Sequence, residues 1–273
     1  MENKINDNLQ QALDSFKAGE YEKAIDAFKL VLEDDNNNPN VLNNIGLCYS
    51  KLAKDDLASE YFIKTLSFNP KSVQTYINLA DVYYRNRNIV EAINLLENGV
   101  TIMPQEIALK HYLSRFYVED CRYELAMDQL FEILDIDEEN LDAYWDLGNI
   151  QFELGDYDSA VQNYENVLEK VTENAVLYYQ TAIAYEANDN VDKAISNHLK
   201  AISCNENFHP SYKKLGILFM ARNDNESAIE YFQDYLNFDL PEDEKKNIKD
   251  LIDRISKWFI LLTDKKDIKF PNN

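Results

Sequence analysis

Apolar residues in this 273-residue chain recur at i, i+3, i+4 and i+7, the spacing that gathers them on one face of a helix. In the stretch LGNIQFELGDYDSAVQNYENVLEK, from Leu147 to Lys170, the stripe breaks once, at Gly155. The same break returns every 34 residues, at Gly19, Ala53, Arg87, Cys121, Gly155, Asp189 and Asn223. Gly, Asn and Asp accept the left-handed conformation that ends a helix. Each period therefore predicts a helix A, a tight turn and a helix B. Other positions keep the period. Steps of 34 from Ala160 reach Ala24, Ala58, Ala92, Ala126, Ala194 and Ala228. Steps from Gly148 reach Ala12, Gly46, Ala80, Ser114, Ala182 and Gly216, all small. The eleventh place carries Tyr49, Tyr83, Tyr117, Tyr185 and Phe219, with Ser15 and Gln151 in the other two units, and the twenty-fourth carries Phe28, Phe62, Leu96, Leu130, Tyr164, His198 and Phe232. The units are 5–38, 39–72, 73–106, 107–140, 141–174, 175–208 and 209–242, with no insertion.

Two antiparallel helices approach within about 8–10 Å only where the contact is unobstructed. The small eighth and twentieth places supply such contacts on helices A and B, and the large eleventh and twenty-fourth places fill the space around them. Helices this short are marginal in water, so each pair must bury its apolar face on the next one. A 34-residue helix–turn–helix with these small, aromatic and proline places (Pro70 and Pro104 close two units) resembles the tetratricopeptide repeat family over residues 5–242. The resemblance implies an all-α fold, a right-handed superhelical solenoid of antiparallel helix pairs. Lys110 and Asn8 stand where that family carries an aromatic, and His198 where it carries Phe or Tyr. Residues 243–262 place Ile248, Leu251, Ile252, Ile255, Trp258, Phe259 and Leu262 on one face and resemble the family's terminal capping helix, with 263–273 read as a disordered tail. Ile260 and Leu261 widen that stripe, so self-association through this helix is a competing expectation.

With only 6 Gly and 6 Pro the chain has few of the residues that punctuate sheets, which suits helices on short connections. The balance of 27 Lys+Arg against 49 Asp+Glu, a net charge of −22, repels phosphate, so no nucleic acid and no anionic membrane surface is expected as a partner. The N-terminal MENKINDN lacks the apolar core of a signal peptide, and apolar runs such as Trp258 to Leu262, as long as any in the chain, are too short to span a bilayer. Cys48, Cys121 and Cys204 stand far apart in no metal or disulfide spacing, which fits a reducing, cytoplasmic setting. No phosphate-loop glycine pair and no GxSxG occurs, and His111, His198 and His209 fall at different places of the repeat. No catalytic residue, cofactor or metal site is expected, and His198 reads as a packed core residue.

The family resemblance puts the second, fifth, ninth, twelfth and thirteenth places of helix A on a concave groove. Read there, the early units offer Leu9, Leu13 and Phe16, then Asn43 and Leu47, then Ile77, Asp81 and Tyr84. The middle units offer His111 and Arg115, then Trp145, Asn149 and Phe152. The last offer Tyr179, Ile183 and Glu186, then Lys213, Ile217 and Met220. Lys17, Lys51, Arg85, Arg115 and Lys213 oppose Asp81, Glu119, Asp142, Glu153 and Glu186, so the lining is roughly neutral inside an acidic shell. Such a channel suits an extended peptide or amphipathic helix of a protein partner, basic or apolar. Trp145 is the sharpest candidate anchor, because Tyr144 takes the core aromatic place of its unit. The carboxylate clamp of chaperone-binding family members is not matched: Leu9 and Leu13 occupy its places in the first unit, and the nearest series is Arg115, Asn149, Val176. The expected function is a non-enzymatic adaptor. A self-assembling scaffold and a sensor of a small peptide are the alternatives.

Overall fold

A computed structural model of the chain describes residues 2–34 and 36–266, with side chains from 7 to 33 and from 36 to 257. Among the described residues there are fifteen helices and no strand. They form antiparallel pairs: α1 (Glu2–Lys17) with α2 (Tyr21–Asp34), α3 (Pro39–Lys51) with α4 (Asp55–Phe68), and α5 (Val73–Arg85) with α6 (Ile89–Ile102). Next come α7 (Ile107–Glu119) with α8 (Tyr123–Ile136), then α9 (Leu141–Glu153) followed by α10 (Tyr157–Leu168). The last pairs are α11 (Ala175–Ala187) with α12 (Val191–Cys204) and α13 (His209–Ala221) with α14 (Asn225–Leu236). Helix α15 (Glu242–Lys266) follows, so helix continues past residue 262. Residues 267–273 and the side chains of Trp258, Phe259, Ile260, Leu261 and Leu262 lie outside the described residues. The chain divides into two compact units, the first reaching Ala143 and the second starting at Tyr144.

Every A-to-B turn has the same construction. Its middle residue has positive φ, from +55° at Ala53 to +80° at Gly155, and these seven residues are the breaks seen in the sequence. The N–H of that residue donates to the carbonyl three back, as Gly155 does to Phe152 (3.0 Å). The next N–H donates to the carbonyl five back, as Asp156 does to Gln151 (2.9 Å). This pair of bonds satisfies carbonyls that the helix end leaves open. The residue after the left-handed one then starts helix B, and at Asp156, Asn190 and Asp224 its side chain caps that helix.

The helix contact is equally regular. All seven alanines of the comb are fully buried. The eighth place receives the side chain of the twenty-fourth. A methyl added to Gly46 would lie 2.6 Å from the Phe62 ring, one on Gly148 would lie 2.6 Å from Tyr164, and one on Gly216 would lie 2.5 Å from Phe232. Where the eighth place is larger, as at Ala80, Ser114 and Ala182, its partner is not a phenyl or phenol ring: Leu96, Leu130 and His198 stand there. Ala12 with Phe28 is the one pair that combines a methyl with a ring. Volume lost on one helix is recovered on the other, as close packing requires.

Lys110, at an aromatic place, is almost fully buried and ion-paired with Glu132 on α8, so a charge pair replaces the missing ring. Helix α15 lays Ile248 and Ile255 on a cluster with Ala228, Phe232, Tyr235 and Leu240, covering the apolar face of the last pair. Among the described residues no helix is long and apolar enough to cross a membrane.

Candidate functional site

In the first unit α3 touches α5 and α5 touches α7, and no two successive B helices come as close. Leu13, Phe16 and Leu47 are half-buried against the unit's core, and Ile77 is buried. Asn43 is engaged with a neighbouring helix: its Oδ1 accepts from the Thr75 hydroxyl at 2.9 Å. His111 is half-buried, while Asp81, Tyr84 and Arg115 are exposed. The Tyr84 hydroxyl donates to Glu119 (2.9 Å), and its ring stands edge-on to Phe116 at 5.4 Å. The Arg115 guanidinium lies over the Tyr112 ring at 5.2 Å. Arg85 pairs with Asp55 at 2.7 Å. Desolvation raises the Asp81 carboxyl above its ordinary range, against the opposing pull of Arg115 and Arg85.

In the second unit the A-helix face is more aromatic. Trp145 is half-buried, with its ring 5.3 Å from Tyr164. The Tyr164 ring passes Gly148 and its hydroxyl donates to Asn149 (2.8 Å). One helix therefore carries the indole, the slot and the acceptor, at the fifth, eighth and ninth places. Phe152 packs on Tyr157 at 5.4 Å. Tyr179 lies between His198 (5.5 Å) and Phe208 (5.4 Å). Ile183 is half-buried and Ile217 exposed. Lys213 is tied to Glu244 of α15 at 2.7 Å, and that carboxylate also accepts from Tyr235 (2.8 Å). These bonds hold Glu244 below its ordinary range.

One polar constellation is not legible in the sequence. His198 is fully buried, with Nε2 2.8 Å from Glu186 and Nδ1 3.3 Å from the Ser211 hydroxyl. Lys214 closes on the other oxygen of Glu186 at 2.8 Å. The set joins α11, α12 and α13. A serine, a histidine and a carboxylate in line invite comparison with a nucleophilic triad, yet Ser211 and His198 are both sealed from solvent, which leaves no approach for a substrate. Its physical role is to satisfy a polar ring placed where other repeats carry an apolar side chain. Desolvation pushes Glu186 upward, but the hydrogen bonds and charges of His198 and Lys214 outweigh it and hold the carboxyl below its ordinary 4.5. A depressed carboxyl stabilises the fold fully above the unfolded value and ceases to do so as pH falls through the folded one. Urea unfolding should therefore separate wild type from Glu186→Gln at pH 7, with the gap closing below about pH 4.5. A gap unchanged at pH 3 would contradict the pairing.

Cys48 is buried, and burial pushes its thiol up to about 12, so it behaves as a small apolar side chain.

Family models described as tetratricopeptide repeat match residues 39–72 and 142–202. The first match coincides with the second unit of the 34-residue period. Over both stretches the chain is made of tetratricopeptide repeats. Among similar proteins is the BBSome complex member BBS4 of Bos taurus, 24% identical over 238 residues, which cover 85% of this chain and 45% of the relative. The chain thus spans less than half the length of that relative. Among solved structures, the C-terminal part of a TPR repeat-containing protein from Cytophaga hutchinsonii superposes with a TM-score of 0.74 at 18% identity, covering 88% of this chain and 98% of that one. YrrB, described as a TPR protein with an unusual peptide-binding site, gives 0.56 at 20% identity over 68% of this chain and 95% of its own. At these identities the solved structures establish the fold alone. Tetratricopeptide repeat proteins generally mediate protein–protein interactions.

Proposed function

We propose that this tetratricopeptide repeat protein is a non-enzymatic adaptor that holds a segment of a partner protein on its A-helix faces. The observation that carries this reading is the state of the second unit. Of its charged groove residues, Glu186 is engaged with His198 and Lys214, and Lys213 with Glu244, while Trp145, Phe152 and Ile183 are only half-buried and Ile217 is exposed. A surface with satisfied charges and unsatisfied aromatics gains most by covering those rings with apolar side chains. The net charge of −22 around it favours a partner segment with basic flanks. The first unit, with Asp81, Arg115 and Tyr84 exposed, offers polar contacts of its own.

The test is affinity capture from native lysate with wild type and with a Trp145→Ala/Phe152→Ala double variant, partners being compared by mass spectrometry. The double variant should lose a partner that wild type retains, by at least about tenfold in recovery, equivalent to about 1.4 kcal/mol. Both rings are half-exposed, so the variant remains folded, which its circular dichroism should verify. Full retention by a folded double variant would count against binding on this face.

A second reading is favoured by the relative whose name marks it as a complex member. In that reading the chain is a fixed subunit of a larger assembly. Size-exclusion of native lysate separates the two, since a fixed subunit has no free pool.

A further inference from the structure

The second unit holds a cleft where α10, α11 and α12 meet, lined by no residue of α9. It is open to solvent and offers about 480 Å³, within the range of small-molecule sites.

Tyr178 and Tyr185, two turns apart on α11, form the floor, and both are buried. One wall is anionic, with Glu165 and Glu169 one turn apart along the end of α10. The facing wall is cationic, with Lys193 and Lys200 two turns apart on α12. At the Tyr185 end the walls are bridged. Lys193 donates to the Tyr185 hydroxyl (2.9 Å), lies 3.6 Å from Glu165, and sits 4.8 Å over the ring. At the Tyr178 end they are not. Lys200 stands 5.5 Å over the Tyr178 ring, and neither it nor Glu169 forms an ion pair among the described residues. The same three chemistries, carboxylate, ammonium and phenol ring, thus occur twice, closed once and open once. The end of α10 adds the negative pole of its helix dipole on the Glu169 side.

We propose that the open end of this cleft binds a small zwitterion of amino-acid size. Its ammonium meets Glu169 and the end of α10, its carboxylate meets Lys200, and its side chain covers Tyr178. A lone anion would face Glu169 and the helix end, and a lone cation would face Lys200. A ligand carrying both charges a few ångströms apart meets each wall with the opposite sign, in the same sense as the Glu165–Lys193 bridge beside it. The cleft uses none of the residues of the proposed partner-binding face.

The test is isothermal titration calorimetry of the full chain with free phenylalanine and free leucine, each compared with its N-acetyl amide, which lacks both charges. At least one free amino acid should bind saturably at concentrations on the order of 10 mM or below, and its amide should not. Lys200→Met and Glu169→Gln should each weaken binding by about tenfold or more, and Trp145→Ala should leave it unchanged. Lys200 and Glu169 are exposed, so these variants keep the fold. Absence of binding by either free amino acid, equal binding of the amide, unchanged affinity in both charge variants, or loss of binding in Trp145→Ala would overturn the proposal.

Discussion

Gly216→Ala is expected to destabilise the protein by about 1–3 kcal/mol, the range for overpacking a filled core. The added methyl would stand 2.5 Å from Cε1 of Phe232, a ring with no exposed surface and therefore no free direction in which to move. The repeat period supplies the compensating change. In the third repeat Ala80 faces Leu96, and in the fourth Ser114 faces Leu130. Phe232→Leu should therefore interact favourably with Gly216→Ala: the double variant should lose less than the two single losses added, by roughly 0.5–3 kcal/mol of coupling. Denaturant unfolding of the four proteins measures this. Strictly additive losses would mean that the eighth and twenty-fourth places do not meet as described.

The turns give the second large effect, in the opposite direction. Ala53, Arg87 and Cys121 hold φ of 55°, 62° and 58°, and all three are exposed. The left-handed region costs a residue with a Cβ about 1–2 kcal/mol. Glycine removes that cost but gains about 0.4–1 kcal/mol of freedom in the unfolded chain. The net is a stabilisation of about 0.5–1 kcal/mol at each site, and about 2 kcal/mol for the three together. The triple variant Ala53→Gly/Arg87→Gly/Cys121→Gly should melt above wild type. Gly19 and Gly155, which already occupy this place at 77° and 80°, show the conformation in its unstrained form. A lower melting temperature would show that the side chains at this place make contacts worth more than the strain.

These two effects concern features that were open to sequence reasoning, for a physical reason. A turn residue that must be left-handed and a contact that must be small restrict residue type at a fixed place, and a period of 34 lays seven such restrictions side by side. Partnerships between different places were less open. That the small eighth place faces the ring of the twenty-fourth emerges only once the helices are paired. His198 was readable as a packed side chain, but its partners Glu186, Ser211 and Lys214 lie 12, 13 and 16 residues away on two other helices. Lys110 reads as a departure from the pattern until Glu132, on the paired helix, is seen to meet it.

The places expected to line a groove differ in exposure, and that difference was not legible in the sequence. At the ninth place Asp81, Arg115 and Ile217 are exposed. At the fifth, Ile77 is buried, Asn43 bonds to Thr75, and Lys213 is taken by α15. The fifth place is thus the more enclosed of the two, and no apolar count along a single helix reveals that. Trp145 belongs to this enclosed class and still keeps part of its ring in solvent, because the ring it packs on, Tyr164, is set back into the slot over Gly148.

The proposed function rests on which face of the helix pairs the partner covers. Hydrogen–deuterium exchange of the full chain, alone and with the captured partner, reads this directly. Partner-induced protection is expected in peptides from α9 and α11, which carry Trp145, Phe152 and Ile183, with α10 and α12 unchanged. Protection confined to α10 and α12, with α9 and α11 exchanging as in the free protein, would contradict it.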